Sequence, residues 1–340
     1  MRPEISDENA DNKEQEVQKK PEINDENKSI ANNKEEEVQK KPFIWRPMPS
    51  IFSTALCFGI LGLLMVIIGI ILLTFSSQIV EYLVKYDQVS CIFDCEINFS
   101  ISTDIEPPIM VYYQLDNYYQ NHRRYIRSKS QKQLAGQVFN NLTSKVDDWN
   151  SFKVDCDPII TVKDLGINTT IGGRVALPPN APANPCGLIA KSIFNDTYKL
   201  YSNNLGVGYN IYINESNIAW PEDKVYRFIK PENYSDLQWL DINDEHFMVW
   251  MRPAAIPNFR KLWGRIKTKL TAGNYTLVFN NTYPVKSFKG SKTFVLSTCN
   301  VFGGKNSFLG IAYICVGIVC LIFAILFWLG YKDYHKEKAD

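Results

Sequence analysis

Two stretches without a charged side chain constrain this chain more than anything else in it: "IFSTALCFGILGLLMVIIGIILLTF", Ile51 to Phe75, and "FLGIAYICVGIVCLIFAILFWLG", Phe308 to Gly330. A helix of about 20 apolar residues crosses a bilayer core, so each is long enough to span. At about 1.5 Å per residue the first reaches about 37 Å and is expected to tilt. Fifty mostly polar residues precede it. Cleaved signals instead place an apolar run of roughly 7 to 15 residues close to the N-terminus, so this segment reads as a retained signal anchor. Lys40, Lys41 and Arg46 lie before the first stretch and Lys332, Lys336 and Lys338 after the second. The excess of basic residues on cytosolic flanks puts both termini in the cytosol and residues 76–307 on the opposite side.

Glycosylation signals support that orientation independently. Asn-x-Ser/Thr without a central proline occurs between the spans at Asn98, Asn141, Asn168, Asn195, Asn214, Asn233, Asn274 and Asn280. The Asn, Ser and Thr content of the segment yields roughly three such triplets by chance, so eight favour a glycosylated, lumenal domain. Another sequon, Asn27-Lys-Ser, falls in the N-terminal tail and should stay bare.

The formal net charge is +1, but residues 1–41 carry 8 basic and 12 acidic side chains, net −4, against +5 for the remainder. That tail repeats itself, "PEISDENADNKEQEVQKK" then "PEINDENKSIANNKEEEVQKK". With no apolar period to bury, residues 1–45 are expected to be disordered, as a docking arm or a solvated spacer. No charge pattern calls for nucleic acid.

Of eight cysteines, Cys57, Cys315 and Cys320 fall in the spans and read as apolar fillers. In an oxidising compartment Cys91 is expected to pair with Cys95 across a tight turn, and Cys156 with Cys186 around a loop rich in Pro and Gly. Loop entropy gives these closures about 2 and about 3.5 kcal/mol. Cys299 is left over. A zinc site is disfavoured, because no second close pair of Cys or His completes a tetrahedral set.

Small residues recur every seven positions at Ala55, Gly62, Gly69 and Ser76, and again at Gly310, Gly317 and Ala324. Such spacing lines one helix face and admits close approach of another helix, either each other or a third protein.

The domain between the spans, about 230 residues, is expected to be β-rich and α+β. "NYTLVFNNTYPVKSF" and "KTFVLST" alternate apolar and polar residues around Asn-Asn and Gly, the pattern of antiparallel strands in a hairpin or sandwich. "NFRKLWGRIKTKL" places Phe259, Leu262, Ile266 and Leu270 at helical spacing and reads as a helix packed on the sheet with a basic outer face. There is no GxxxxGK[ST], GxSxG or HExxH, and no Asp-Lys-Thr-Gly-Thr. "DINDEHF", Asp241 to Phe247, lacks calcium-loop spacing and reads as a solvated turn. No catalytic, cofactor-binding or metal-ligating residue is assigned. A hydrolase would have to rest on His246 or Asp241, and no spacing encourages that.

"NYYQNHRRYIRS", Asn117 to Ser128, sets Tyr119, Asn121, His122, Arg123, Arg124 and Tyr125 together. On the lumenal side nucleic acid is excluded. Tyr and Arg suit an intramolecular polar network or an interface, and the network is favoured.

Four stretches in order, "YYQNHRRY", "NPCGLIAKSIFND", "FMVWMRPAAIPNFRKLW" and "GGKNSFLGIAYICVG", closely resemble the motifs of the family of yeast cell-division-cycle protein fifty and ligand-effect modulator three. These are accessory β-subunits of type IV P-type ATPases, the phospholipid flippases. The resemblance runs from Phe43 to Gly330 and leaves out the repeated tail. It implies a two-span glycoprotein with a β-rich lumenal domain, no enzymatic site, and a heterodimer with the ATPase catalytic subunit. Contact with membrane phospholipid is then indirect. It also implies a requirement for exit from the endoplasmic reticulum and for the transport cycle, with residence in endoplasmic reticulum, Golgi, endosomal and plasma membranes. Cys156 and Cys186 match a family bridge. "CIFDC" supplies two cysteines where relatives often have four. A stand-alone cell-surface receptor or adhesion glycoprotein is the competing reading.

Overall fold

The computed structural model describes residues 50–139, 144–173, 176–204 and 208–337. The repeated tail and the sequon at Asn141 lie outside the described residues. Two compact units are present, one built from the first turns of the first long helix and the last turns of the second, the other from residues 58–323.

Both apolar stretches are helices, Ile51–Ser77 and Ser307–Glu337, each long and apolar enough to cross a membrane. The second continues seven residues past Gly330, because Tyr331 to Glu337 holds no Pro or Gly to stop it. Eight strands lie between them: β1 (Glu81–Lys85), β2 (Cys95–Ile101), β3 (Ile109–Asp116), β4 (Thr197–Ser202), β5 (Tyr209–Ile211), β6 (Phe259–Ile266), β7 (Gly273–Asn280) and β8 (Ser291–Thr298). They form two antiparallel four-stranded sheets, ordered β1-β8-β3-β6 and β2-β7-β4-β5. Consecutive strands β7 and β8 enter different sheets, so "NYTLVF" and "KTFVLST" make a sandwich and not a hairpin.

Alternation buries the core at β7, as read in "NYTLVF", whereas β8, read the same way, is buried on both faces. Ile109, Val111, Tyr113 and Leu115 point inward from β3, and Tyr275, Leu277 and Phe279 from β7. The two sets meet in one hydrophobic cluster with Tyr86, Tyr198 and Phe294. Tyr86 packs edge-on against both Tyr198 and Phe279, carrying the core from one sheet to the other. The 80 residues between β3 and β4 hold short helices with a smaller core of Phe139, Phe152, Cys156, Ile159, Leu165, Ala183 and Cys186.

One expectation is corrected. "NFRKLWGRIKTKL" is not a helix: Phe259–Ile266 is β6, the edge strand beside β3. Its register slips between Val111 and Tyr112, so that Trp263 and Gly264 are both buried. This bulge moves the inward parity from Phe259, Lys261 and Trp263 to Gly264 and Ile266. The shifted alternation left apolar residues at intervals that imitate a helical period.

Candidate functional site

The two long helices run antiparallel and touch through their glycines. A Cβ placed on Gly62 would lie 2.8 Å from the Gly317 carbonyl oxygen, and one on Gly69 2.8 Å from that of Gly310. The reverse approaches, Gly317 to the Gly62 oxygen and Gly310 to the Gly69 oxygen, are 2.9 and 3.0 Å. Backbone therefore lies against backbone, a separation that side chains would forbid. Nearby, Phe58 and Phe323 rings lie 5.9 Å apart. In the unit at the helix ends Ala55 is buried, Ala324 is partly buried, and Phe52 packs on Trp328 and Tyr331. Ser76 plays a different part: its hydroxyl accepts from the Asn306 N–H at 3.0 Å, tying the end of one helix to the approach to the other. Of the two partners open in the sequence, the described glycine seams take each other.

Outward-facing Leu56, Ile60, Leu63, Leu64 and Ile67 on one helix, and Ile311, Ile318, Ile322 and Ile325 on the other, are exposed. Those surfaces face lipid or another membrane helix.

The Asn117–Ser128 segment divides into an inner and an outer face. Tyr118 sits among the rings of Tyr125, Trp250, Phe259, Tyr283 and Phe288. Its hydroxyl donates to Tyr125, and Tyr125 shares a hydrogen bond with Ser192 at 2.7 Å. Burial, with Tyr118 beside it, pushes the Tyr125 hydroxyl far above the usual tyrosine value, so it stays protonated and available to donate. Gln120 is wholly buried and accepts from the Ala254 N–H at 2.9 Å. Asn121 reaches out to donate to the Ala255 carbonyl at 2.8 Å. These bonds fasten the "YYQNHRRY" motif to the "MRPAAIPNF" motif. Tyr119, His122, Arg123 and Arg124 remain exposed around the short helix Arg123–Arg127.

Next to this segment in sequence, Lys129 is pulled below its ordinary value by burial and then by nearby Arg227. Asp223, its side chain 2 % exposed, takes Arg252 at 2.7 Å and Arg227 at 3.5 Å, and Arg252 lies over the Trp220 ring at 4.7 Å. Trp220, Arg227 and Arg252 thus form an exposed patch over one buried carboxylate, a composition favoured in protein interfaces.

A buried ionic cluster escaped the sequence reading. Lys292 on β8 and Asp196, just before β4, pair at 2.6 Å with side chains 1 % and 0 % exposed. Asp196 also accepts from the Tyr86 hydroxyl and from the Thr282 and Tyr283 N–H groups, while Lys292 donates to the Tyr283 carbonyl. Burial pulls the Lys292 amine below its ordinary value, with Asp196 opposing, and pushes the Tyr86 hydroxyl up. The cluster bolts one sheet to the other. Asp196 was visible as the last residue of "NPCGLIAKSIFND", but nothing local marked Lys292 as its partner.

Cys91 is bonded to Cys95 and Cys156 to Cys186, with Cα atoms 5.7 and 5.5 Å apart. Cys299 is free and partly buried. The second bond joins the end of helix Val146–Cys156 to the "NPCG" turn, whose Gly187 has φ +93° and no room for a side chain against the Ser128 carbonyl. Of the sequons, Asn98, Asn168, Asn195, Asn233 and Asn274 are exposed, and Asn214 and Asn280 partly so. His246 stacks on Trp263 at 3.9 Å and reaches Glu215 at 3.1 Å, and Asp244 caps the helix Glu245–Trp250 rather than standing as a free turn. Asp241 pairs with Lys230 at 2.8 Å. The structure does not gather His246 and Asp241 into one hydrogen-bonded pair.

A two-span membrane protein whose helices cross at glycine, carrying a disulfide-bonded β-sandwich between them, is the class that these features define. Residues 72–337 match the LEM3 (ligand-effect modulator 3) family / CDC50 family, and the chain belongs to that family. ALA-interacting subunit 3 of Arabidopsis thaliana is 36% identical over 314 residues, covering 83% of this chain and 81% of that protein. Cell cycle control protein 50A of Bos taurus is 32% identical over 340 residues, 86% and 87% of the two chains. The phospholipid-transporting ATPase accessory subunit CRF1 of Saccharomyces cerevisiae is 35% identical over 253 residues, 68% of this chain and 58% of that protein.

Proposed function

We propose that this chain is the non-catalytic accessory subunit of a phospholipid flippase. It forms a heterodimer with a type IV P-type ATPase that moves phospholipid from the exoplasmic to the cytosolic leaflet, and the ATPase needs it for folding, exit from the endoplasmic reticulum and transport. The observation that carries this reading is the family match over residues 72–337, together with a relative whose name is that of a phospholipid-transporting ATPase accessory subunit. The architecture agrees with it: the exposed helix faces and the Trp220–Arg252 patch offer area for a membrane-protein partner. Both termini are cytosolic in this reading, which the flanking basic residues support, and the sandwich is exoplasmic and glycosylated. The complex resides in endoplasmic reticulum, Golgi and endosomal membranes and the plasma membrane.

Separate and joint expression of the two chains tests this. This chain alone should keep immature, endoglycosidase-sensitive glycans, and together with the ATPase it should acquire mature ones. Full maturation of this chain without any ATPase would sink the proposal and favour a stand-alone receptor.

A further inference from the structure

Two of the sequons face each other across a strand pair. Asn98-Phe99-Ser100 on β2 and Asn274-Tyr275-Thr276 on β7 run antiparallel, with Asn98 opposite Thr276, Phe99 opposite Tyr275, and Ser100 opposite Asn274. Each asparagine thus lies across from the hydroxyl residue of the other triplet. The two-residue period turns Phe99 and Tyr275 to one side, where their rings stack 5.9 Å apart, and both asparagines to the exposed side. As diagonal neighbours the asparagines are about 7–8 Å apart.

Their surroundings are concave. An open hollow of about 490 Å³ is lined by Asn98, Phe99, Ser100, Asn203 and Asn274. Thr276 donates its hydroxyl to Asn98 Oδ1 and accepts from Asn203 Nδ2 at 2.7 Å, which fixes the Asn98 carboxamide by its oxygen. Among the described residues neither Asn98 Nδ2 nor Asn274 Nδ2 donates a hydrogen bond, so the atom that bonds a sugar is the one left unengaged at both positions. The side chains on this face are amide and hydroxyl, groups that hydrogen-bond the polar rim of a pyranose.

We propose that Asn98 and Asn274 both carry N-linked glycans whose first sugars pack into this hollow against Asn203, as a fixed part of the sheet. The proposal rests on the exoplasmic placement of the sandwich given above. In the transfer, each amide nitrogen bonds to the anomeric carbon of an oligosaccharide carried on a lipid pyrophosphate. The carbon–oxygen bond to that carrier breaks, the lipid pyrophosphate leaves, and the nitrogen gives up one proton. Transfer precedes the pairing of β2 with β7, since Thr276, whose hydroxyl belongs to the Asn274 triplet, becomes engaged by Asn98 once the strands pair.

The test is a time course of amidase release from the undenatured full-length glycoprotein, read site by site by mass spectrometry. Both asparagines should be modified, and their glycans should leave at least about tenfold more slowly than those on the exposed loops at Asn168 and Asn233, because access requires local opening. Asn203→Ala should narrow that gap without changing occupancy. If Asn168 and Asn233 carry glycans while either Asn98 or Asn274 is bare, the proposal fails and the topology stands. Equal release rates at all four sites, or a gap unmoved by Asn203→Ala, overturn the packing. Bare asparagines at every sequon would overturn the exoplasmic placement itself.

Discussion

Lys292 and Asp196 form the interaction with most at stake in the sandwich. A buried pair is weak evidence of net stabilisation, since its desolvation offsets much of its attraction, but removing one member strands the other in a site without water. Lys292→Met should therefore cost about 3–5 kcal/mol in thermal or denaturant unfolding of the purified protein. Adding Asp196→Asn to it should recover part of that loss, because no uncompensated charge remains. A second lysine behaves differently. Lys261 on β6 is buried, pairs with no carboxylate among the described residues, and donates to the carbonyls of Val249, Trp250 and Arg252 at the end of helix Glu245–Trp250. Burial, then the nearby Arg252, pulls its amine down to about 7. The unfolded chain holds this proton up to about pH 10.4, so between these values the unfolded state binds more protons and stability rises with pH. This contribution is complete above the unfolded value and is lost as pH falls through about 7. Melting temperatures measured from pH 7 to pH 9 should rise, and Lys261→Met should remove the part of the rise that belongs to this residue.

At the scale of elements, the glycine seam makes the clearest demand. Gly62→Leu must drive the helices apart, since the added carbon meets the Gly317 backbone at 2.8 Å. The expected cost is about 1–3 kcal/mol. Gly330→Leu, with no neighbour within 4 Å, should be neutral in the same melting experiment, and a similar loss for both would refute the seam. The sequence carried this feature openly: small residues seven apart in an uncharged stretch align on one helix face, and only the choice of partner had to come from coordinates. β7 was legible in the same way, because its burial is one-sided. β6 was not, because the bulge at Trp263 and Gly264 breaks its alternation and Leu270 bridges to Ile105 outside the strand. Local pattern cannot report a register slip that the neighbouring strand imposes. The Lys292–Asp196 pair was hidden for a related reason, as its members are 96 residues apart in sequence and a buried lysine resembles an exposed one until the fold is known.

On the scale of the whole molecule, two spans, a sandwich, and exposed groups at Tyr119 and Arg123 and at Trp220 and Arg252 make sense together as the parts of an accessory subunit. The spans were readable from length and charge alone. The division of the "YYQNHRRY" segment was not, because only the fold decides that Tyr118, Gln120 and Tyr125 turn inward while Tyr119 and the arginines turn out. If the outward set contacts the ATPase, Arg123→Glu with Tyr119→Ala should leave the melting temperature of the isolated chain unchanged within about 0.5 kcal/mol, as surface substitutions do, yet reduce recovery of the complex. The central claim is tested most directly by purifying the full chain in mild detergent through a C-terminal tag and identifying what accompanies it. A type IV P-type ATPase in one-to-one ratio is the predicted result. A glycosylated protein that is fully folded, reaches the cell surface and purifies without any such ATPase would contradict it.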